Sequence, residues 1–416
     1  MYFSRLFFAA AVAGCPMTYS LSLAAEQPLS LTEALAIAVR DSSLLAAQRA
    51  GVAAAEEGTV SARELPDPKL RFSVENFPLD GPDRYSVTRD FMTMRKISIA
   101  QEFPRAEKRE LKGRRAEYQL AREQAMLGDT RATLRRDVAL AWMERYYAGQ
   151  MARLIEEKYA ETLLQREALQ AGIAANRTTL SERIALDSTL QMLLDRRAEF
   201  DKQAARAQAM LSRWLGESAK RSLSPPPDAT TGAVSADHTS HHPHLQTLER
   251  QIDIAQSEAD LAKAATKPDW GLELSYAQRG SAYSNMLNVQ ISIDLPLFAD
   301  KRQNREAAAR AAQVEQARAL REDALRLHRA EAAAAQAELD AATARLKRFD
   351  DSLLPLARDN AAVALAAYRG GLSSLATVLE TRRMEIELRL QKLQLAAEQG
   401  RARAQLMYFV PEESVK

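Results

Sequence analysis

The chain has 416 residues, 46% of them hydrophobic and 27% charged, with a formal net charge of +2 at pH 7. That balance excludes a disordered chain and a polytopic helical membrane protein, and it gives no case for a nucleic-acid surface. Its 15 glycines are about half the usual ~7% share, and one cysteine, Cys15, rules out a disulfide framework or a Cys-based zinc site. With aromatics at only 6%, this is the composition of long helices, not of a glycine-rich nucleotide-binding enzyme.

Residues 1–24 read as a secretory signal peptide: Arg5, then an apolar run over 6–14, then small and polar residues. Two processing sites are open. Ser22-Leu23-Ala24 suits ordinary cleavage before Ala25. Val12-Ala13-Gly14-Cys15 resembles a lipobox and would leave a lipidated Cys15 as the mature N-terminus. Beyond Ala25 no apolar run reaches the ~18 residues that a membrane-spanning helix needs.

Residues 25–215 form a first unit. Prolines are absent from 105–224 and from 297–354. Because proline costs about 3 kcal/mol inside a helix, these are the stretches where long helices can run. The spacing predicts a helix over 105–172, about 100 Å long, and a returning helix over 178–215. Its apolar residues recur in a broken three- and four-residue pattern, as expected of a helix packed on several neighbours. A second set follows a linker at 216–243, with a long helix at 302–369 and a returning helix at 374–409. Between these helices the pattern changes to strict alternation. Residues 69–75, 96–100, 272–276 and 289–295 read as four strands in two hairpins, at about 68–103 and 268–297.

The two units, 25–215 and 244–416, repeat one plan. Pro66 falls on Pro268, Leu70 on Leu272 and Phe72 on Leu274, at an offset of 202. Ile97 falls on Val289, Ile99 on Ile291 and Pro104 on Pro296, at an offset of 192. The first hairpin loop is therefore ten residues longer. Leu70, Phe72, Val74, Leu272, Leu274, Val289, Ile291, Ile293 and Leu295 are placed to face lipid. Arg71, Ser73, Glu75, Glu273, Ser275, Gln290, Ser292 and Asp294 would then face a lumen. A soluble sheet with one buried face alternates identically. Two hairpins cannot close a barrel alone, so a membrane reading requires several copies sharing strands.

The duplicated order resembles the TolC family of outer-membrane efflux proteins, and within it the CzcC-like component of heavy-metal resistance-nodulation-division (RND) pumps. The resemblance is carried by Leu31-Thr32-Glu33-Ala34-Leu35, Pro66-Asp67-Pro68-Lys69-Leu70, Glu102-Phe103-Pro104, Lys267-Pro268-Asp269, Asp294-Leu295-Pro296-Leu297-Phe298 and Tyr368-Arg369-Gly370-Gly371-Leu372-Ser373. It implies a mainly α chain with a β-barrel part: a homotrimer with a 12-stranded barrel in outer-membrane lipid and a long periplasmic helical barrel. It also implies a periplasmic adaptor and an inner-membrane RND pump as partners, no cofactor and no catalytic activity. Glycines 172, 370 and 371 would mark the hairpin turns at the periplasmic tip. By the family's motif Tyr368 matches a gate tyrosine and Glu380 one of two acidic gate positions. Thr377 stands at the other acidic position, Ser373 where a locking arginine is expected, and Thr178 in place of that arginine's aspartate partner. Three copies of Glu380 at one constriction would attract cations.

Four histidines, His238, His241, His242 and His244, lie within seven residues of the linker. Short His-rich tracts bind transition metals. Pro243 is expected to keep this one extended, so that any site is loose and exposed, and the tract reads equally as a solvated linker or as the cap region of the next helix. His328, in a polar helix, is expected at the surface. Export duct is the leading reading, with metal or organic cargo. A soluble periplasmic coiled-coil adaptor or scaffold is the alternative. An exported enzyme finds no support, because the chain has no phosphate-cradling glycine loop, GxSxG elbow or HExxH pair.

Overall fold

The computed structural model describes residues 27–174, 179–227 and 241–409. Cys15 and both processing sites, Thr178 and His238 lie outside these residues. Two short helices open the chain, α1 (Leu31–Asp41) and α2 (Ser43–Ser61). Ser30 caps α1 by accepting the Glu33 N–H at 3.1 Å. Strands β1 (Lys69–Glu75) and β2 (Met94–Phe103) lead into α3 (Ala106–Ala174), which returns as α4 (Leu180–Leu215). The second unit repeats the order with α5 (Pro243–Ala264), β3 (Trp270–Gln278) and β4 (Met286–Ile293). Its long helical run is α6 (Gln303–Arg348) continued by α7 (Leu354–Arg369), and α8 (Leu375–Phe409) returns.

A π-helical turn, Phe349–Leu353, separates α6 from α7. The cause is local: Pro355 follows at the start of α7 and has no N–H to donate to the preceding turn. Both described ends of the linker carry regular structure. Gly216–Lys220 form a 3-10 turn, Leu223 bridges Leu29, and Pro243 is already in the first turn of α5. Arg221 reaches back to Glu33 at 2.6 Å, fastening the end of the first unit to its beginning.

The four strands form one antiparallel sheet in the order β1-β2-β3-β4, so the two expected hairpins are joined by a β2–β3 pairing between the repeats. The hairpin registers are equivalent under the sequence offsets. Phe72 pairs with Ile97 as Leu274 pairs with Val289, and Leu70 with Ile99 as Leu272 with Ile291. The core is strung along the helices rather than gathered in one nucleus. Near the chain start Leu29, Ala34, Val138, Trp142 and Leu211 pack together. Further along, Met151, Ile155, Leu193, Phe200 and Leu390 join α3, α4 and α8. The long helix α3 touches α1, α2, α4, α5 and α8, which explains why its apolar residues follow no single stripe.

Candidate functional site

Cross-strand partners point to the same side of a sheet, so the registers sort its residues into two faces. One carries Leu70, Phe72 and Val74, then Ile97 and Ile99, then Trp270, Leu272, Leu274 and Tyr276, then Leu287, Val289, Ile291 and Ile293, with Arg95, Gln101 and Gln278 among them. The apolar and aromatic ones are all exposed; Phe72 keeps 74% of its surface. The other face is polar and self-paired. Lys96 lies 3.1 Å from Glu75 and 3.7 Å from Glu273, and Arg71 lies 3.2 Å from Glu273. Strands β1 and β4 are the sheet's edges. An apolar face this large, with two open edges, is the kind of surface that lipid or another chain covers. Among the described residues no helix is long and apolar enough to cross a membrane.

At the far end, α7 turns into α8. Gly371 has φ +73°, in the left-handed region that glycine adopts without strain. Its N–H reaches the Tyr368 carbonyl at 3.0 Å, and the Leu372 N–H reaches that of Ala367 at 2.8 Å. This pair of bonds is a Schellman termination. Ser374 then starts α8 by accepting the Thr377 N–H at 3.2 Å, and the two hydroxyls lie 3.1 Å apart. The Thr377 side chain is thus engaged in the helix cap. Tyr368 is partly exposed, and Glu380 is exposed with Arg383 at 3.9 Å. Gly172 lies in the last helical turn of α3, and the turn after it, 175–178, lies outside the described residues.

Glu380 and Arg383 also line a cleft of about 340 Å³ between α3, α4 and α8. Its walls include Ile155, Leu186, Met192 and Ile386. Across it Arg196 of α4 clamps Glu387 of α8 through two bonds of 2.7 and 2.8 Å. The guanidinium holds the Glu387 carboxyl below the usual glutamate range. Close by is Glu385, only 2% exposed. It accepts from Arg382 at 3.0 Å and from Arg389, and Arg358 of α7 stands 3.9 Å away. Lys158 of α3 is also buried, and desolvation lowers its pKa. None of this buried charge was singled out from the sequence. The signal was present in part: Arg382 and Arg389 stand at i−3 and i+4 to Glu385.

The histidines depart most from expectation. Pro243 sits in the first turn of α5, and His242 before it, itself extended at φ −60° and ψ 139°, is the cap, so this end of the tract is the cap region of a helix. His242 is buried; its Nδ1 accepts the His244 N–H at 3.2 Å, so Nε2–H donates to the Tyr408 carbonyl at 2.8 Å. Burial lowers its pKa to about 4. His244 Nδ1 meets Asp129 at 3.2 Å, and Asp129 also accepts the Tyr408 hydroxyl at 2.9 Å. Burial and the Asp129 charge push the Tyr408 phenol up. His328 is not a surface residue. It is 5% exposed, packed between His242 and His244 with ring centroids 5.0 and 5.3 Å away. His241 is exposed and its carbonyl accepts from Gln246. No group of three or more His, Cys, Asp or Glu side chains among the described residues is placed to hold a metal ion.

A duplicated helical chain with one four-stranded sheet, apolar on one face and open at both edges, has the architecture of outer-membrane channels. It superposes on the outer membrane protein VceC of Vibrio cholerae with a TM-score of 0.77 at 17% identity, over 91% of this chain and 95% of that one. CusC gives 0.74 at 16%, over 90% of each chain. The open-state outer membrane channel MtrE of Neisseria gonorrhoeae gives 0.73 at 14%, over 91% and 88%. Residues 236–409, the second repeat, match the family described as outer membrane efflux protein. No curated protein matches the chain in sequence.

Proposed function

We propose that the chain is the outer-membrane exit duct of a tripartite efflux pump, without catalytic activity of its own. The observation that carries this reading is the four-stranded sheet in which every strand contributes exposed apolar side chains to one face, interrupted by Arg95, Gln101 and Gln278, while the other face is charged and self-paired. Alternation of this kind suits lipid on one side and water on the other. Closing the open edges calls for further copies, and three chains supply 12 strands. The helical tube then extends through the periplasm toward an adaptor and an inner-membrane pump. Recovery from the outer membrane as a detergent-stable trimer is the expected result of fractionation and native mass measurement. A soluble monomer overturns the duct and favours the scaffold.

We assign heavy-metal cations as cargo on the CzcC-like motifs. Deleting the gene should lower tolerance to one or more of Zn, Cd, Co, Ni, Cu and Ag salts. Unchanged tolerance to all of them, with lost tolerance to organic toxicants, moves the cargo to the organic class. Tyr368, Thr377 and Glu380 are assigned to the periplasmic gate, with the Gly370-Gly371 turn and Gly172 as its bends. Glu380→Gln should change single-channel cation selectivity; an unchanged value removes Glu380 from the pore.

A further inference from the structure

We propose that Arg95 anchors a site for the phosphate of lipid A, the phosphorylated and multiply acylated glycolipid of the outer leaflet. The site rests on the outer-membrane reading above and adds a ligand to the sheet's apolar face. Arg95 pairs with Val74 on one side and Gln278 on the other, so it shares that face with Phe72, Ile97 and Tyr276. A cation facing lipid is costly at mid-bilayer and tolerated near an interface. Arg95 meets that condition, as the second residue of β2. Residues 76–93 join β1 to β2 beside it, residues 279–285 join β3 to β4, and the helices attach at the opposite strand ends. With the helices in the periplasm, Arg95 stands at the level of the outer leaflet, where lipid A carries its phosphates. At the helix end the same face holds Gln101 and the stacked Phe103–Trp270 pair, and no cation.

The guanidinium lacks an internal counterion. Its Nε is buried without a hydrogen-bond partner. The neighbouring carboxylates, Glu75 and Glu273, belong to the other face and are engaged there by Lys96 and Arg71. A buried N–H with no acceptor calls for one from outside the chain. Among oxygen acceptors, phosphate matches the planar fork of arginine in two parallel bonds. A depression of about 500 Å³ adjoins Arg95, lined in part by Phe72, Val74, Ile97, Tyr276 and Gln278. The Tyr276 hydroxyl accepts from Asn285 at 2.7 Å, which leaves its own proton to donate to a headgroup. Phe72, Val74 and Ile97 form an apolar bed that a free phosphate ion would not use and acyl chains would. Charge at the rim and apolar surface below it together select a phosphorylated lipid over a soluble anion.

The test uses full-length protein in detergent, titrated with bisphosphorylated lipid A, with bound lipid counted by native mass spectrometry. One lipid A per chain is expected. Arg95→Gln should weaken binding about 10-fold or more, the scale of a lost charge-assisted contact, with an unchanged circular dichroism spectrum. Dephosphorylated lipid A should lose a similar factor on the parent protein, a comparison that needs no variant to fold. Arg71→Gln removes the same charge from the opposite face and should bind as the parent does. Inorganic phosphate should not displace the lipid, and phosphatidylglycerol should bind more weakly. Full binding by Arg95→Gln or of the dephosphorylated lipid, equal loss in Arg71→Gln, displacement by phosphate, or equal affinity for phosphatidylglycerol each overturns the site. A trimer recovered from the outer membrane that takes up no lipid A overturns the site and leaves the duct standing. A soluble monomer overturns both.

Discussion

Glu385 shows how much one side chain can hold. Its carboxylate is buried among Arg382, Arg389 and Arg358, on two helices. The arginines around it are 35%, 38% and 60% exposed and can turn to water, so the loss on removing Glu385 is that of its charge-assisted bonds, about 1.5–3 kcal/mol. Glu385→Ala should therefore lower the thermal midpoint more than Arg358→Ala, whose exposed partner position is worth under about 1 kcal/mol. Equal shifts would place the network's strength elsewhere. The Arg196–Glu387 clamp gives a pH signature. Its glutamate has a folded pKa below the unfolded value of about 4.3. The clamp's contribution is thus complete above that unfolded value and fades as pH falls through the lower folded one. The stability difference between the parent and Glu387→Gln should be constant from pH 8 to 5 and shrink below about 4. A difference that grows on acidification contradicts the assignment.

Among the elements, the sheet makes the sharper claim. Ile291 and Gln290 are neighbours on β4, one on each face. If the apolar face meets lipid, Ile291→Lys costs about 2–4 kcal/mol near the bilayer midplane, and Gln290→Lys little. Outer-membrane yield should fall for the first and hold for the second. A soluble sheet buried by a partner protein would leave membrane recovery unaffected by both. The strands and long helices were legible because they rest on local signals: proline placement, alternation, and motif residues at fixed offsets. Other features were not. The β2–β3 pairing joins residues about 180 apart, and nothing in either strand marks which edge it meets. His328 reads as a surface residue because its sequence neighbours Arg326 and Arg329 are charged. Its burial comes from His242, His244, Tyr408 and Phe409, which arrive from other helices. For Pro243 the sequence leaves two readings open, an extended linker or the cap region of the next helix, and the fold selects the cap.

On the scale of the whole molecule, the helical bundle is held by small clusters spaced along its length rather than by one centre. A damaged cluster should loosen one segment of the bundle before the rest, as expected when stability is distributed. Hydrogen exchange on Glu385→Ala is then expected to rise first in α7 and the tip half of α8, with the segment around Trp142 still protected.

The pairing of β2 with β3 also has a use as a ruler. Strand β1 maps onto β3 and β2 onto β4, so in the proposed trimer the contact inside one chain would have a counterpart that no single chain can make, β4 against the β1 of a neighbour. Carrying Ile99–Leu274, Ile97–Tyr276 and Gln101–Leu272 across the offsets of 202 and 192 gives Ile291–Phe72, Val289–Val74 and Ile293–Leu70. Cysteines placed at 72 and 291 in a chain lacking Cys15 should link one chain to the next under oxidation, and those at 70 and 291 should not. The repeat thus writes into each protomer a copy of the seam by which protomers would join.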